Sequence, residues 1–284
     1  MGAMNQFKTV VLLGLLTGLL LAVGWYFGGS NGLAIALIFS ILMNFGSYYF
    51  SDKIVLMMYR AQEVKEADYP DLYRIVREVS QLAMIPMPKV YLMTTATPNA
   101  FATGRNPKHS AVACTTGILN LLSKDELRGV IAHEMSHIKN RDILIQTIAA
   151  TIAGVISYAA MMVRWGAIFG GLGNRDRDSS DVFYMLALAI LTPIIAMLLQ
   201  LALSRSREYL ADETGAKTIH NSHALANALE KLDDGIKRHP LRFGSPATSS
   251  LFIMNPFSAS GIMSLLSTHP PLKERIKRLK AMRA

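Results

Sequence analysis

The chain has 284 residues, of which 51% are hydrophobic and only 17% charged, with a formal net charge of +9. A water-soluble domain carries about 25% charge, so the balance argues against an ordinary soluble globule, a disordered chain or a coiled coil. The single cysteine, Cys114, excludes a disulfide framework and any multi-cysteine metal site.

The first predicted elements are membrane spans. Val10 to Phe27 and Leu33 to Phe50 are uncharged and close to the length that crosses about 30 Å of hydrocarbon. The first run is too long for a cleaved leader and a second follows at once, so it reads as an anchor. The uncharged residues 28–32 read as a tight hairpin between them.

Residues 51–142 read as α+β. Asp71 to Leu82 has the pattern of an amphipathic helix, and Lys89 to Met93 that of a short strand. Ala100 to Thr103 and Ala111 to Thr115 read as strands joined by a turn at 104–108. Ser123-Lys124-Asp125-Glu126 is a capping box that opens a helix with an apolar face of Leu127, Val130, Ile131 and Ile138.

Two more apolar runs follow, Ile143 to Val163 and Val182 to Leu203. Each exceeds 18 residues without a charge, which favours spans over buried helices of a soluble domain. Lys53, Arg60 and Lys65 follow the second run, Lys139 and Arg141 precede the third, and Arg205 and Arg207 follow the fourth. The positive-inside rule then puts both termini, 51–142 and 204–284 on the cytoplasmic face. The loop at 164–181, with three arginines and three aspartates, is a mild dissent. Residues 204–284 hold 13 basic and 7 acidic side chains. With no nucleic-acid motif beside them, Leu272 to Arg283 reads as a helix that packs its apolar stripe and turns its cations to anionic lipid or, equally, to solvent. The expected division is therefore an N-terminal hairpin at 1–50, a cytoplasmic part at 51–142, a second hairpin at 143–203 and a cytoplasmic part at 204–284.

The chemistry sits on the capped helix, as His133-Glu134-Met135-Ser136-His137. Residues i and i+4 stand one above the other on a helix, so the two imidazoles can converge on one zinc. Glu134, turned about 100° away, can instead serve a water at that metal as base and then acid. A catalytic zinc takes three protein ligands and an open position. The best third ligand is Glu208, with Asp212 one turn on, placed to accept a ring N–H from His133 or His137. His137 lies six residues before Ile143 and Glu208 five after Leu203, so antiparallel spans would bring both half-sites to nearly one height above the bilayer. Cys114 reads as core rather than a nucleophile. His220 and His223 read as a surface helix start, and His109 and His239 as loop residues.

The set His133-Glu134-x-x-His137 with Glu208-x-x-x-Asp212 resembles the gluzincin pattern. With Pro98 to Gly104, the helix at 124–142, Ser204 to Ala216, and Ser267-Thr268-His269-Pro270-Pro271 followed by Arg275-Ile276, the chain resembles the membrane metalloproteases of peptidase family M48 along its whole length. The resemblance implies a mainly α fold with a small β-sheet, in which four transmembrane helices carry a cytoplasmic zinc metalloprotease domain. It implies one Zn2+ per chain and cleavage of damaged or misfolded polypeptides, membrane proteins above all. It also implies a multi-pass place in the bacterial inner membrane with the site facing the cytoplasm, and no nucleic-acid partner. Asn99, Ala100 and Phe101 resemble the family's edge strand that pairs with an extended substrate, Phe101 being otherwise a core residue. His269 resembles a histidine that approaches the open metal position, as an oxyanion donor or a latch. The competing readings are a prenyl-peptide protease, a non-catalytic membrane adaptor or chaperone with structural zinc, and a transporter. An adaptor has no need of Glu134, and a transporter would carry intramembrane charges that the runs lack.

Overall fold

The computed structural model describes residues 2–153, 205–244, 246–257 and 270–282. Helix α1 (Gly2–Met58) is broken at Gly29, whose φ of 55° and ψ of −138° suit only glycine. The chain doubles back there. A Cβ on Gly24 would stand 2.5 Å from the Gly32 carbonyl oxygen, and Asn44 Nδ2 donates to Thr17 Oγ1 at 2.9 Å. The expected hairpin at 28–32 is this reversal.

Gly28–Met58 is long and apolar enough to cross a membrane. Its large side chains face outward: Ile35, Ile38, Leu42 and Phe45 are 57–69% exposed. A contiguous apolar stripe of that kind is costly in water and matches lipid. Of the third predicted run, only α5 (Ile143–Ala153) lies within the described residues. There Ile145, Ile148, Ala149 and Ile152 pack against Leu13, Leu20 and Met43 of the α1 hairpin. The run at 182–203 lies outside the described residues.

The rest is a small mixed sheet covered by helices. Strands β1 (Gln62–Glu63), β2 (Lys89–Met93), β3 (Ala100–Asn106) and β4 (His109–Thr115) lie in the order β1-β2-β4-β3. β2 and β4 are parallel, and the other pairs antiparallel. β3 and β4 run further than the sequence suggests, because pairing continues to Asn106 opposite His109. Gly104 is not part of the turn. It sits in a bulge at φ 137°, with the His109 oxygen where a Cβ would go.

Helix α2 (Pro70–Ala83) has proline in its first turn and buries Leu72, Ile75, Val76 and Val79. Helix α3 (Thr116–Leu121) leads into α4 (Lys124–Lys139), whose capping box is formed as expected. Further along the chain come α6 (Arg205–Ile219), α7 (Ser222–Arg238), a 3-10 turn at Pro246–Leu251 and α8 (Leu272–Ala281). Helix α4 is central, packed by α2, α6, α7 and β3, so Leu127, Val130, Ile131, Met135 and Ile138 are all buried in one cluster. A helix enclosed on that many sides presents both polar and apolar faces to the interior, and its polar residues must find partners there.

Candidate metal centre

One turn of α4 stacks the rings of His133 and His137, 4.8 Å apart between centroids and 86° to each other. Their Nε2 atoms face each other at 3.2 Å. Helix α6 brings Glu208 to close the triangle: Oε2 lies 3.7 Å from His133 Nε2, and Oε1 3.5 Å from His137 Nε2. All three residues are buried. Donors at about 2.0–2.1 Å from a tetrahedral zinc are about 3.3–3.4 Å apart. With one ligand atom taken from each residue, all three lie within 4.8 Å of one another, a separation from which two imidazoles and a carboxylate can close on such an ion.

Each imidazole also has its own carboxylate behind it. Asp212 Oδ1 lies 2.9 Å from His133 Nδ1, and Asp142 Oδ2 lies 3.3 Å from His137 Nδ1. This holds both rings with Nε2 toward the centre. Asp142 reaches back because Arg141, at φ 59°, reverses the chain just past α4, and the Asp142 N–H returns to the His137 carbonyl at 2.9 Å. Asp212 is gripped in turn by Arg275 from α8, which also donates through Nη1 to the Ile253 carbonyl at 3.0 Å.

Asp212 was legible as a partner of the pair. Asp142 and Arg275 were not. The signal for Asp142 is a carboxylate just beyond the helix end. The signal for Arg275 is its place between Leu272 and Leu279, three and four residues away, on the apolar stripe of α8. Reading that helix as cations turned to lipid is wrong for Arg275, which is 1% exposed.

Burial sets the local electrostatics. It pushes the Glu134 carboxyl up to about 8, with a further rise from Glu208 and a counter-pull from the Ala102 backbone N–H that its carboxylate accepts. Burial pushes the His137 ring down, but Asp142, Glu208 and Glu134 more than offset this and lift it to about 9. Burial likewise opposes charge on Asp212, yet Arg275 holds its carboxyl below the usual range. Cys114 is pushed up to about 12 by burial, so it stays a thiol and is core, as expected.

The strand at Asn99 to Phe101 lies against this site. β3 is an edge of the sheet, and Ala102 on it faces Glu134. Asn99 is fully buried, with Nδ2 donating to the Met254 carbonyl at 2.7 Å and Oδ1 accepting the Ala100 N–H at 3.0 Å. The Phe101 ring is in the core, 5.9 Å from Tyr59 and 5.2 Å from Phe252 between centroids. His269 lies outside the described residues.

A model of peptidase family M48 matches residues 66–283 of this chain. The chain is 54% identical over 280 residues to the Protease HtpX homolog of Syntrophobacter fumaroxidans, covering 98% of this chain and 99% of that one. It is 52% identical over 282 residues to the Protease HtpX homolog of Thermococcus sibiricus, covering 99% and 97%. The crystal structure of S. mikatae Ste24p superimposes with a TM-score of 0.51 at 18% identity. That match covers 98% of this chain and 66% of the other, and it speaks to the fold.

Proposed function

The chain belongs to peptidase family M48, and from that premise we propose that it is a membrane-bound zinc endopeptidase that cuts damaged or misfolded polypeptides, membrane proteins among them. The observation that carries this is the buried cluster of His133, His137 and Glu208, whose ligand atoms lie within 4.8 Å of one another, with Glu134 on the same turn of helix as the two histidines.

His133, His137 and Glu208 would hold one zinc per chain, with Asp212 and Asp142 fixing the two rings. When bound, zinc supplies a Lewis acid for the scissile carbonyl and lowers the pKa of water toward neutrality. Glu134 takes the proton of the attacking water and gives it to the leaving amine as the C–N bond breaks. Ala100 would bind an extended peptide along β3, main chain to main chain, which demands little of its sequence, and Asn99 would add its side-chain amide beside it. Phe101 supports that strand from the core. By the resemblance, His269 would serve as an oxyanion donor or as a latch on the open metal position.

Residues 1–50 and 143–203 would form two hairpins that cross the cytoplasmic membrane, leaving 51–142 and 204–284 on its cytoplasmic face. The flanking lysines and arginines support that orientation, as does the packing of α5 against the α1 hairpin. Lipid and polypeptide substrates are then the partners.

The test is metal analysis and hydrolysis by the full chain in detergent, beside Glu134→Gln. The expected result is one zinc in both forms, with casein cut only by the wild type and not in the presence of a chelator. Zinc without hydrolysis in the wild type would make the site structural, and the absence of zinc would refute the assignment.

A further inference from the structure

The edge of β3 that a peptide would join is already partly taken. Antiparallel strands bond through alternate residues. Asn99 belongs to the set facing β4, since its carbonyl accepts the Thr115 N–H at 3.0 Å. Ala100 and Ala102 therefore turn their polar groups to the other side. There the Ala100 carbonyl accepts the N–H of Ile253 at 3.2 Å. The Ile253 carbonyl accepts from Arg275 Nη1 at 3.0 Å, and the Met254 carbonyl from Asn99 Nδ2 at 2.7 Å. The Ile253 side chain is 1% exposed. Before it, the Phe252 ring meets Tyr59 and Phe101 edge-on, at 4.9 and 5.2 Å.

A bound peptide is held in this manner: its main chain by a strand edge and fixed donors, its side chains by apolar pockets. The donors are those nearest the metal site, because Arg275 also grips Asp212, and Asp212 meets His133. Accepting the reading of the chain as a peptidase that binds substrate along β3, we propose that Phe252–Met254 is an internal occupant of the peptide site, an autoinhibitory contact that an incoming polypeptide displaces. Among the described residues a single main-chain hydrogen bond joins the segment to β3, so little main-chain pairing is lost when it leaves. Pro256, whose carbonyl accepts the Leu241 N–H at 2.8 Å, and the 3-10 turn at Pro246–Leu251 tether the segment on either side. Once it leaves, the Ala100 carbonyl, the Asn99 amide and Arg275 are available to the substrate. Apparent affinity is then reduced by the fraction of molecules in which the segment is displaced.

The test uses the full chain with Glu134→Gln, zinc-loaded in detergent, so that a bound peptide is not cut. Hydrogen exchange is followed across 250–257 with and without an unstructured peptide, whose binding is read by fluorescence anisotropy. The expected result is an Ile253 amide that exchanges at least about tenfold faster in the saturated complex, while α4 amides stay protected. Peptide bound with the Ile253 amide equally protected would overturn the proposal. In a second arm, Ile253→Ala in the otherwise wild-type chain should lower the KM for the peptide about tenfold, and a KM that is unchanged or higher would also overturn it. If the wild type cuts no peptide and neither form binds one, the peptidase reading itself falls, an outcome distinct from binding without displacement.

Discussion

Arg275 grips Asp212 at two points, Nε to Oδ2 at 2.8 Å and Nη2 to Oδ1 at 2.7 Å, with both residues at most 3% exposed. Two parallel N–H donors matched to one carboxylate fix its orientation as well as its charge. Asp212 in turn faces His133 Nδ1, so the guanidinium governs a metal-facing ring through one intermediary. Arg275→Ala leaves a buried carboxylate without its cation, a loss of about 3–5 kcal/mol. Arg275→Lys keeps the charge but not the fork and should fall between. Thermal unfolding and zinc titration should both rank wild type above Lys above Ala. An Ala variant with unchanged Tm and zinc affinity would show that Asp212 is held by something else.

Asp142 stands to His137 as Asp212 does to His133, at 3.3 Å, and its charge acts on the buried Arg207 as well. Asp142→Asn keeps the shape and removes the charge that stabilises the ring N–H. Changes of this kind behind a metal ligand weaken affinity about 10–100-fold. Competition with a chromophoric chelator measures the change, and a thermal unfolding curve taken beside it separates metal affinity from stability, since Asp142 also acts on the buried Arg207 cation. Affinity within twofold of wild type would remove Asp142 from the ring-orienting set.

Glu126 gives a pH test away from the metal. Its carboxylate accepts the Ser123 N–H at 2.8 Å and the Lys231 ammonium at 2.8 Å. Burial works to raise its pKa, but Lys231 and Ser123 outweigh it, and the carboxyl is held below its ordinary range. A carboxyl lowered in the folded state stabilises above its unfolded value of about 4.3, and that contribution is lost as pH falls through the folded value. Glu126→Gln retains the capping hydrogen bond and loses the charge. It should cost about 0.5–1 kcal/mol at pH 7, and its thermal unfolding curve should converge with the wild type's as the pH approaches 3. A gap that persists at pH 3 would mean that the charge is not its source.

What the sequence made legible was local. The i, i+4 pairs His133–His137 and Glu208–Asp212 and the box from Ser123 to Glu126 follow from the helical period, and the structure has all three. Long-range polar partners left no such trace. Arg275 lies 63 positions from Asp212, and among the basic residues of α8 only its place on the apolar stripe distinguishes it. The bond from Ile253 to Ala100 was equally hidden, because a main-chain contact has no residue signature. Gly104 misled for the opposite reason: glycine serves both turns and bulges, and only strand pairing decides between them.

Gly215 sets how closely the two halves of the metal site approach. A Cβ there would stand 2.9 Å from the His133 backbone nitrogen and 3.0 Å from the Ala132 carbonyl carbon. Both are atoms of the α4 backbone, so the helices themselves would have to part. Glu208 lies two turns along α6 on the same side, and its carboxylate would move off the imidazoles with the helix. In an exposed helix, Gly→Ala stabilises by about 1 kcal/mol. Here the sign should reverse: Gly215→Ala should lower both Tm and zinc affinity, the latter about tenfold or more. Gly46→Ala, at a position with open space around the added methyl, serves as the control and should leave zinc affinity unchanged. If Gly215→Ala instead raised Tm and bound zinc as the wild type does, the backbone contact between α4 and α6 would not be what fixes the spacing of Glu208 from the two rings.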